Sequence, residues 1–477
     1  MHALPSTPFG LSLSKPAWYS ARHFDRLSAN GLWEWNPAPL NVMKNAALTD
    51  WLDRQAGRVF ILPAVIVILG FSLFPMLISA WLSLTRFSLE SGGYALKFIG
   101  AANYRKLLTG SEQFHFLGTE AEMPAWGWLV LLLAVALFWP ALKRALHATA
   151  EPASSIAALC LLASSAVAAL VLAPISPWHE AIGEWQEALE WPWSIWLLAA
   201  ALLLLASGAI VRVFSGRHVS LAGLFGRQLA CTLWLFIALL ICGTVGAGGQ
   251  QGSLVTTLFY VIVGVSLQFA IGLTLALLCA QPIRARNFFR LSFFIPLMVT
   301  PVGIAYMFRM MADMSIGPLA PIARWLGLGA NTWAEHAWSA RWVVLVGDTW
   351  QWVPFIFIVM LAAVEGQPRD QLEAAQLDGA SGWRILRDIT WPSIAPTAAA
   401  VVLIRLIEAF KIVDLPNVLT NGGPGIATES LTLHAFIDWR TLNLGGSAAV
   451  SYMLLFISTI SAVSYFHFVV RRARGET

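Results

Sequence analysis

Long apolar runs separated by short polar loops dominate the pattern of hydrophobic and polar positions in this chain. A helix rises 1.5 Å per residue, so about 20 apolar residues are needed to cross roughly 30 Å of hydrocarbon. We therefore expect an all-α, polytopic membrane protein with about ten transmembrane helices. The ten predicted spans are residues 59–82, 126–142, 156–175, 193–212, 229–247, 255–280, 291–311, 341–364, 397–415 and 446–469.

The composition agrees with a membrane protein. The 477 residues are 58% hydrophobic and 12% charged, which leaves too little polar surface to cover a water-soluble globule. The 23 tryptophans fit many crossings, because Trp collects at the headgroup level. The net charge of +4 is small and scattered, so no nucleic-acid partner is expected. Four cysteines lie in apolar runs without metal-ligand spacing and are interpreted as buried thiols: Cys160, Cys231, Cys242 and Cys279.

The distribution of Lys and Arg predicts the orientation of the spans. With the N-terminus inside, most basic residues fall in cytoplasmic loops, and the outer loop 176–192 has four glutamates and no Lys or Arg. The first outer loop is the main exception, with Arg86, Lys97, Arg105 and Lys106. An even number of spans places both termini in the cytoplasm.

Residues 1–42 differ from the rest of the chain. They lack the apolar core and cleavage site of a signal peptide and instead mix Ser, Pro and Arg. This composition resembles a translated intergenic repeat. We expect a non-native or disordered extension here, with the native start at Met43.

Residues 365–396 form the longest loop predicted to be cytoplasmic, and their pattern indicates two short helices. Pro368 suits the first turn of the first helix, where its missing N–H would be unpaired anyway. Gly379 can end that helix, because glycine adopts the left-handed conformation without a Cβ clash. The apolar residues within 385–389 give the second helix one apolar face, and Pro392 is expected to end it. Such a helix-turn-helix suits docking to another protein.

The residues of this loop resemble the EAA loop of binding-protein-dependent ABC importer permeases. The matching residues are Glu373, Ala374, Ala375, Gln376, Leu377, Asp378, Gly379 and Ala380, then Ile389, Thr390, Trp391 and Pro392. Three further segments are similar to the carbohydrate branch of that family, typified by the maltose-transporter permease: Phe98 to Tyr104, 264–301, and Leu419 to Pro424 with Thr428 and Glu429 beyond. Taken alone, Glu-Ala-Ala would be an ordinary loop helix, but the register through to Pro392 argues against that interpretation.

The resemblance covers about 59–108 and 255–470, and it implies the fold of an ABC type I importer permease in the bacterial cytoplasmic (inner) membrane. Residues 43–119 would hold the first core span and its outer loop, and 249–477 the remaining core. Residues 120–248 match no segment of the family and are expected to be an inserted region of about four spans. Four is an even number, so the core would keep its orientation.

The resemblance also implies a division of labour between subunits. Separate ABC ATPase subunits would bind ATP and Mg, while this chain would bind no cofactor or metal and would not be an enzyme. Glu373 would be held in a groove of the ATPase, and Gly379 would permit the turn after it. The other expected partners are a second permease subunit, an extracytoplasmic solute-binding protein and membrane lipid. Independently, the chain contains no GxxxxGK[ST] phosphate-binding loop.

Charged residues in the ninth predicted span are candidates for the solute path, because ionisable groups are costly in a membrane and often functional. They alternate in sign three residues apart, so that neighbours can pair: Arg405, Glu408, Lys411 and Asp414. By the resemblance, Arg405 and Glu408 fall where the maltose permease lines its sugar site. The comparable positions in the eighth span are Gln351, Trp352 and Phe355. The resemblance therefore implies a sugar or related polyhydroxylated solute. Two alternatives stay open: the charged residues only pair with one another, and the aromatic side chains only pack in the bundle.

A turn is expected between the ninth and tenth spans, because Asn and Gly tolerate positive φ and Pro stops a helix. Its residues are Asn421, Gly422, Gly423 and Pro424. Two interpretations stay open: the turn faces an external binding protein, or it only reverses the chain.

Two other classes of protein would also have many spans. An ion-coupled secondary transporter typically carries internal repeats with broken helices at matching positions, and no convincing repeat relates the two halves of this chain. A polytopic membrane enzyme is the other class. The histidines, including His115 and His434, are dispersed along the sequence, with no HExxH motif or paired-carboxylate loop. Neither class explains the register from Glu373 to Pro392.

Overall fold

The computed structural model describes most of the predicted core of the chain. The described residues are 61–91, 93–119, 129, 159–168, 193–215, 221–245, 250–282, 284, 286–313, 317–325 and 333–470. The extension 1–42 lies outside the described residues. So do all of the predicted span 126–142 apart from residue 129, and parts of the predicted span 156–175. The chain divides into two compact units, residues 1–77 and 78–477. The described part of the first unit, residues 61–77, is helical.

Helices make up most of the described chain. In order, the elements are α1 (Ile61–Ser83), β1 (Thr85–Glu90), β2 (Gly93–Phe98), α2 (Ala102–Thr109), α3 (Gln113–Phe116), α4 (Leu159–Ala168), α5 (Trp193–Ser215), α6 (Leu221–Val245), α7 (Ser253–Ala280), α8 (Arg286–Met298), α9 (Pro301–Ala312), α10 (Ala320–Trp325), α11 (Ala337–Glu365), α12 (Arg369–Leu377), α13 (Gly382–Ala409), α14 (Asp414–Thr420), α15 (Leu431–Arg440) and α16 (Leu444–Tyr465).

Five of the described helices are long and apolar enough to cross a membrane: α1, α7, α11, α13 and α16. The pair α8 and α9 would make a sixth span if the two count as one. Shorter apolar helices lie within 159–168, 198–210 and 225–238. The all-α, multi-pass architecture is therefore confirmed, whereas the described residues do not confirm the count of ten spans.

The predicted seventh span, 291–311, is not one continuous helix. α8 and α9 meet at a bend of 100°. Thr300 has an extended conformation, φ −65° and ψ 144°, because the residue before a proline is disfavoured in the helical region and Pro301 follows it. The Thr300 hydroxyl then caps α9 by accepting a hydrogen bond from the N–H of Gly303 at 3.3 Å.

The prediction that Pro392 ends a helix was wrong, because α13 continues through it to Ala409. In a regular helix the proline ring would clash with the carbonyl four residues earlier. Here a wider π-helical turn, Leu386–Thr390, directly precedes the two residues Trp391 and Pro392. The wider turn gives the ring room, so the helix can pass from the loop into the membrane.

The predicted limits of the ninth span, 397–415, were also wrong at the C-terminal end. α13 stops at Ala409, and a new short helix, α14, begins at Asp414. The four alternating charges therefore do not form one helical ladder, and Asp414 belongs to a different helix from Arg405.

A two-stranded antiparallel hairpin follows α1, an element that the all-α prediction did not include. Beyond it, the buried Asn103 donates hydrogen bonds to the carbonyls of Ser83 (2.8 Å) and Thr85 (2.9 Å). Gly445 at the start of α16 lies so close that an added Cβ would overlap the Thr85 carbonyl. These contacts fix the segment after α1 against α16.

The core of the bundle is built where α7 packs along α11. Gly272 permits the close approach, since a Cβ there would lie 2.7 Å from Cγ2 of Ile356 and 3.2 Å from the backbone nitrogen of Phe357. On another side, α6 from the predicted insertion joins a second core cluster, where Phe236, Ile237 and Leu240 pack with residues of α7 and α16. At least one helix of the inserted region is thus part of the core.

We predict that Gly272→Leu destabilises the chain, because the added side chain must displace α11. Overpacking of this kind costs about 1–3 kcal/mol, and it should lower the midpoint of thermal unfolding of the purified full chain in detergent. Gly226→Leu on α6 is the matched control, since nothing lies within 4 Å of a Cβ at Gly226. Equal midpoints for the two variants would contradict this account of the α7–α11 contact.

Candidate functional site

The loop between α11 and α13 has the helix and turn expected of a coupling element. α12 begins after Pro368, which occupies the position just before the first helical residue. Gly379 has φ +71°, the left-handed conformation that glycine adopts without a Cβ clash. Its N–H donates to the carbonyl of Gln376 at 3.0 Å, and that of Ala380 to Ala375 at 2.9 Å. These bonds satisfy carbonyls at the end of α12.

Residues 365–396, which we call the coupling loop after the EAA loop that they resemble, are mostly exposed. No residue of α12 is buried; Glu373, Ala374 and Asp378 are exposed, and Ala375 is half-buried. Two large apolar side chains are open to solvent, Leu377 at 89% and Trp383 at 72%. Large apolar side chains that are open to solvent on a polar loop favour an interaction surface.

Charged and polar contacts hold the loop at the end of the helical bundle. Glu365, the last residue of α11, forms ion pairs with Arg286 and Arg290 of α8. Gln367 donates from Nε2 to the carbonyl of Thr390 at 3.3 Å, which ties the two ends of the loop together. The loop is therefore anchored on both sides, at the end of α11 and at Thr390.

A buried polar cluster lies deeper in the bundle and joins three of the spanning helices. Arg405 of α13, 1% exposed, forms an ion pair with Asp348 of α11. Its Nε donates to Oε1 of Gln268 on α7 at 2.7 Å, and Gln268 Nε2 donates to Asp348 Oδ2 at 2.8 Å. The guanidinium also lies 4.6 Å from the ring centroid of Trp352. We call Gln268, Asp348 and Arg405 the buried triad.

The structure separates the charged residues that the sequence analysis grouped together. Arg405 pairs with Asp348 rather than with Glu408, and it does not reach an open surface. Glu408 instead pairs with Lys411 at 2.7 Å, with side chains 37% and 59% exposed. Asp348 and Gln268 were missed, although a carboxylate inside an apolar run is itself a signal that such a residue needs a partner.

The three candidates of the eighth predicted span all lie on α11 but in different surroundings. Gln351 is buried, while Trp352 and Phe355 are half-buried. The two rings meet edge to face with centroids 6.1 Å apart. Trp352 therefore touches Arg405 of the buried triad as well as Phe355, so it packs within the bundle.

The turn Asn421–Gly422–Gly423–Pro424 is a reversal held by many hydrogen bonds. Asn421 and Gly422 have φ of 50° and 86°, as their residue types allow. The Thr428 hydroxyl donates to the carbonyl of Gly423 at 3.0 Å, and Arg341 Nε on α11 donates to the carbonyl of Ala427 at 2.6 Å. The turn is thus a fixed surface, while Asn421 and Gly425 at its tip stay exposed.

Two histidines far apart in the sequence come together beside this turn. The rings of His115 on α3 and His434 on α15 stack with centroids 4.0 Å apart. Glu429 Oε1 lies 2.8 Å from His115 Nε2 and 3.8 Å from His434 Nδ1. The histidines are dispersed along the sequence, as described above, and the fold brings this pair together, which no spacing in the sequence could have revealed.

We call His115 and His434, with the neighbouring acids Glu112, Glu429 and Asp438, the histidine cluster. Burial and nearby charges set its protonation. Burial lowers the pKa of His115, but Glu429, Glu112 and Asp438 together raise it by more, so that the pKa lies above its ordinary value. Burial and the neighbouring His115 lower the pKa of His434 to about 3. Burial raises the pKa of Asp438, close by on α15, to about 6. His434 is therefore neutral near pH 7.

We predict that the buried triad stabilises the bundle through charge matching. Asp348→Asn leaves the Arg405 charge without its partner, and breaking a buried pair in this way costs about 3–5 kcal/mol. The midpoint of thermal unfolding should fall, and the double variant Asp348→Asn with Arg405→Met should regain part of the loss. Lys411→Met, which breaks the exposed pair with Glu408, should cost less than about 1 kcal/mol. A double variant less stable than Asp348→Asn would contradict the prediction.

Comparison with known proteins finds a matching family and a similar solved structure. Residues 272–474 match the family described as "Binding-protein-dependent transport system inner membrane component". Among solved structures, the chain is similar to a chain of a bacterial alginate ABC transporter, solved in complex with an alginate-pentasaccharide-bound periplasmic protein. The two chains are 19% identical, the match covers 46% of this chain and 78% of that chain, and the TM-score is 0.43.

Relatives of known name share more of the sequence. The probable starch degradation products transport system permease protein AmyD of Thermoanaerobacterium thermosulfurigenes is 27% identical over 45% of this chain and 73% of its own length. The sn-glycerol-3-phosphate transport system permease protein UgpA of Agrobacterium fabrum is 28% identical over 46% of this chain and 75% of its own length. The trehalose/maltose transport system permease protein MalF of Thermococcus litoralis is 32% identical over 43% of this chain and 69% of its own. With that identity over more than two thirds of a relative, this chain belongs to the family of binding-protein-dependent ABC transporter permeases, the inner membrane components of these transport systems.

Proposed function

We propose that this chain is a permease subunit of an ABC importer, which moves a sugar or related polyhydroxylated solute into the cytoplasm, driven by ATP hydrolysis in a separate subunit. The observation that carries the proposal is the exposed helix α12, ended by a left-handed Gly379, in the register of the family's coupling loop. The named relatives transport trehalose or maltose, starch degradation products and glycerol 3-phosphate according to their names. All of these solutes are rich in hydroxyl groups, which supports the solute class.

The loop is built to pass motion from a partner into the bundle. α12 lies between the ends of two long helices, since α11 ends at Glu365 and α13 begins at Gly382. Those two helices carry Asp348 and Arg405 of the buried triad. An ATPase subunit that holds α12 and moves would therefore displace α11 and α13 together, and the triad would carry the displacement to α7.

Polar groups beside the triad are suited to a hydroxyl-rich solute. Glu408 and Lys411 lie at the end of α13, near Arg405, and their side chains are only partly buried. Carboxylate and ammonium groups can accept from and donate to sugar hydroxyls. We assign Glu408 to the solute path, and Arg405 to holding the helices that line it.

The two ends of the bundle receive different partners in this proposal. α13 leads from the coupling loop to Phe410, and the turn at 421–424 follows at its opposite end. With the coupling loop and both termini in the cytoplasm, the turn faces outward, toward a solute-binding protein. A second permease subunit completes the pathway across the membrane.

We predict that Gly379→Pro abolishes co-purification with the ATPase subunit while membrane insertion is unchanged. Proline has φ near −65° and cannot adopt +71°, so the turn after α12 must rearrange. Gly379→Asn is the matched control, because Asn tolerates the left-handed region, and it should keep most co-purification. Full co-purification of Gly379→Pro, or solute uptake at full rate without any ATPase subunit, would overturn the proposal.

We predict that Glu408→Gln weakens solute uptake, because the hydrogen bond that a solute hydroxyl donates to the carboxylate loses its charge; bonds to charged groups contribute about 1.5–3 kcal/mol, so the affinity should fall by up to roughly 10–100-fold. The concentration dependence of ATP-driven uptake in proteoliposomes measures the effect, with solutes drawn from disaccharides, polyols and their phosphates. Glu335→Gln changes an exposed carboxylate outside the spans and should have no effect. An unchanged Glu408→Gln variant would remove this residue from the solute path.

A further inference from the structure

The histidine cluster has the composition and position of a metal site. One ligand atom each of Glu112, His115 and His434 can be chosen so that all lie within 4.8 Å of one another. We propose that Glu112, His115 and His434 bind a zinc ion, which links the segment after the first span to the helix after the outer turn. The site would lie at the opposite end of the bundle from the coupling loop, and it does not depend on the proposed solute or on ATP hydrolysis.

Two imidazoles and one carboxylate are a ligand set that suits zinc. Zinc binds His nitrogen and carboxylate oxygen at about 2.0–2.2 Å with tetrahedral geometry, and three protein ligands leave one position for water. Tetrahedral ligand atoms at those bond lengths are about 3.4 Å apart. The ligand atoms must therefore close by up to about 1.4 Å, and the stacked rings must tilt toward one centre, which rotation about the side-chain bonds can provide.

The second nitrogen of each ring already faces a suitable partner. His115 Nδ1 lies 3.9 Å from Glu112, whereas its Nε2 lies 2.8 Å from Glu429. His434 Nδ1 lies 3.0 Å from the hydroxyl of Ser253. We therefore assign His115 Nδ1 and His434 Nε2 to the metal, with Glu429 and Ser253 as the partners that orient the rings. A ligating histidine almost always gives its other N–H to such a partner.

The backbone brings these groups together independently of any ion. An antiparallel bridge joins Gly118 and Gln251, and the N–H of Thr119 donates to the carbonyl of Gln250 at 2.8 Å. This pairing sets α3 beside the start of α7, where Ser253 lies. Three separate segments of the chain therefore meet at the cluster.

Burial and charge also fit a cation that enters from the surface. Side chains of Glu112 and His115 are 45% and 26% exposed, whereas those of Glu429 and His434 are 4% and 1% exposed. An ion can thus enter past the first pair and become enclosed by the second. Glu112 and Glu429 together with Asp438 supply negative charge to balance a divalent cation.

The test measures zinc bound to the purified full-length chain in nanodiscs, after chelator treatment and equilibrium dialysis. We expect one zinc ion per chain, and affinity at least tenfold weaker in His115→Gln and in Glu112→Gln. Both substituted side chains are partly exposed, so these variants should fold. His336→Gln is the matched control, since that histidine is exposed and lies outside the cluster.

Cobalt provides a second measurement of the same site. Substituted for zinc, it should give the intense visible absorption of tetrahedral coordination in the wild type and in His336→Gln, but not in His115→Gln. Zinc binding that is absent in the wild type, or equal in the wild type and His115→Gln, would overturn the proposal. Failure there would leave the transport proposal unaffected, because neither measurement uses ATP or a transported solute.

Discussion

An arginine inside an apolar bundle is tolerated only where an opposite charge pairs with it and acceptors bind its N–H groups. This requirement shapes the centre of the molecule. Arg405 meets it through Asp348, Gln268 and the face of Trp352. These groups come from α7, α11 and α13, so one charged side chain fixes the mutual positions of three spans. Apolar packing alone would allow these helices to slide, since lipid and side chains are similarly apolar.

Two of these three helices, α11 and α13, lead to the coupling loop. α11 and α13 emerge on either side of α12, while Glu365 ties the end of α11 to α8 through Arg286 and Arg290. Local order in the loop comes from its own bonds, chiefly around Gly379 and Gln376. The loop therefore has a defined form before any partner binds it, and its exposed Leu377 and Trp383 are what a partner can cover.

Local chemistry made much of this architecture predictable. The short helix before Gly379, the positive φ of that glycine and the reversal at Asn421 follow from residue type and immediate neighbours. The break at Phe410 and the passage of α13 through Pro392 do not, because a wider π-helical turn and tertiary packing decide them. Pairs such as Arg405 with Asp348, or His115 with His434, arise from the fold and leave no periodic trace in the sequence.

Helix α6 determines what lipid can reach on one side of the bundle. Its side chains Phe236, Ile237 and Leu240 fill the same core cluster as residues of α7 and α16, and Trp234 Nε1 lies 3.4 Å from the hydroxyl of Ser464. Helix α6 therefore covers this side of the bundle. Lipid cannot reach the surface beneath α6 without displacing this helix, so the core cluster on this side is shielded by a part of the same chain.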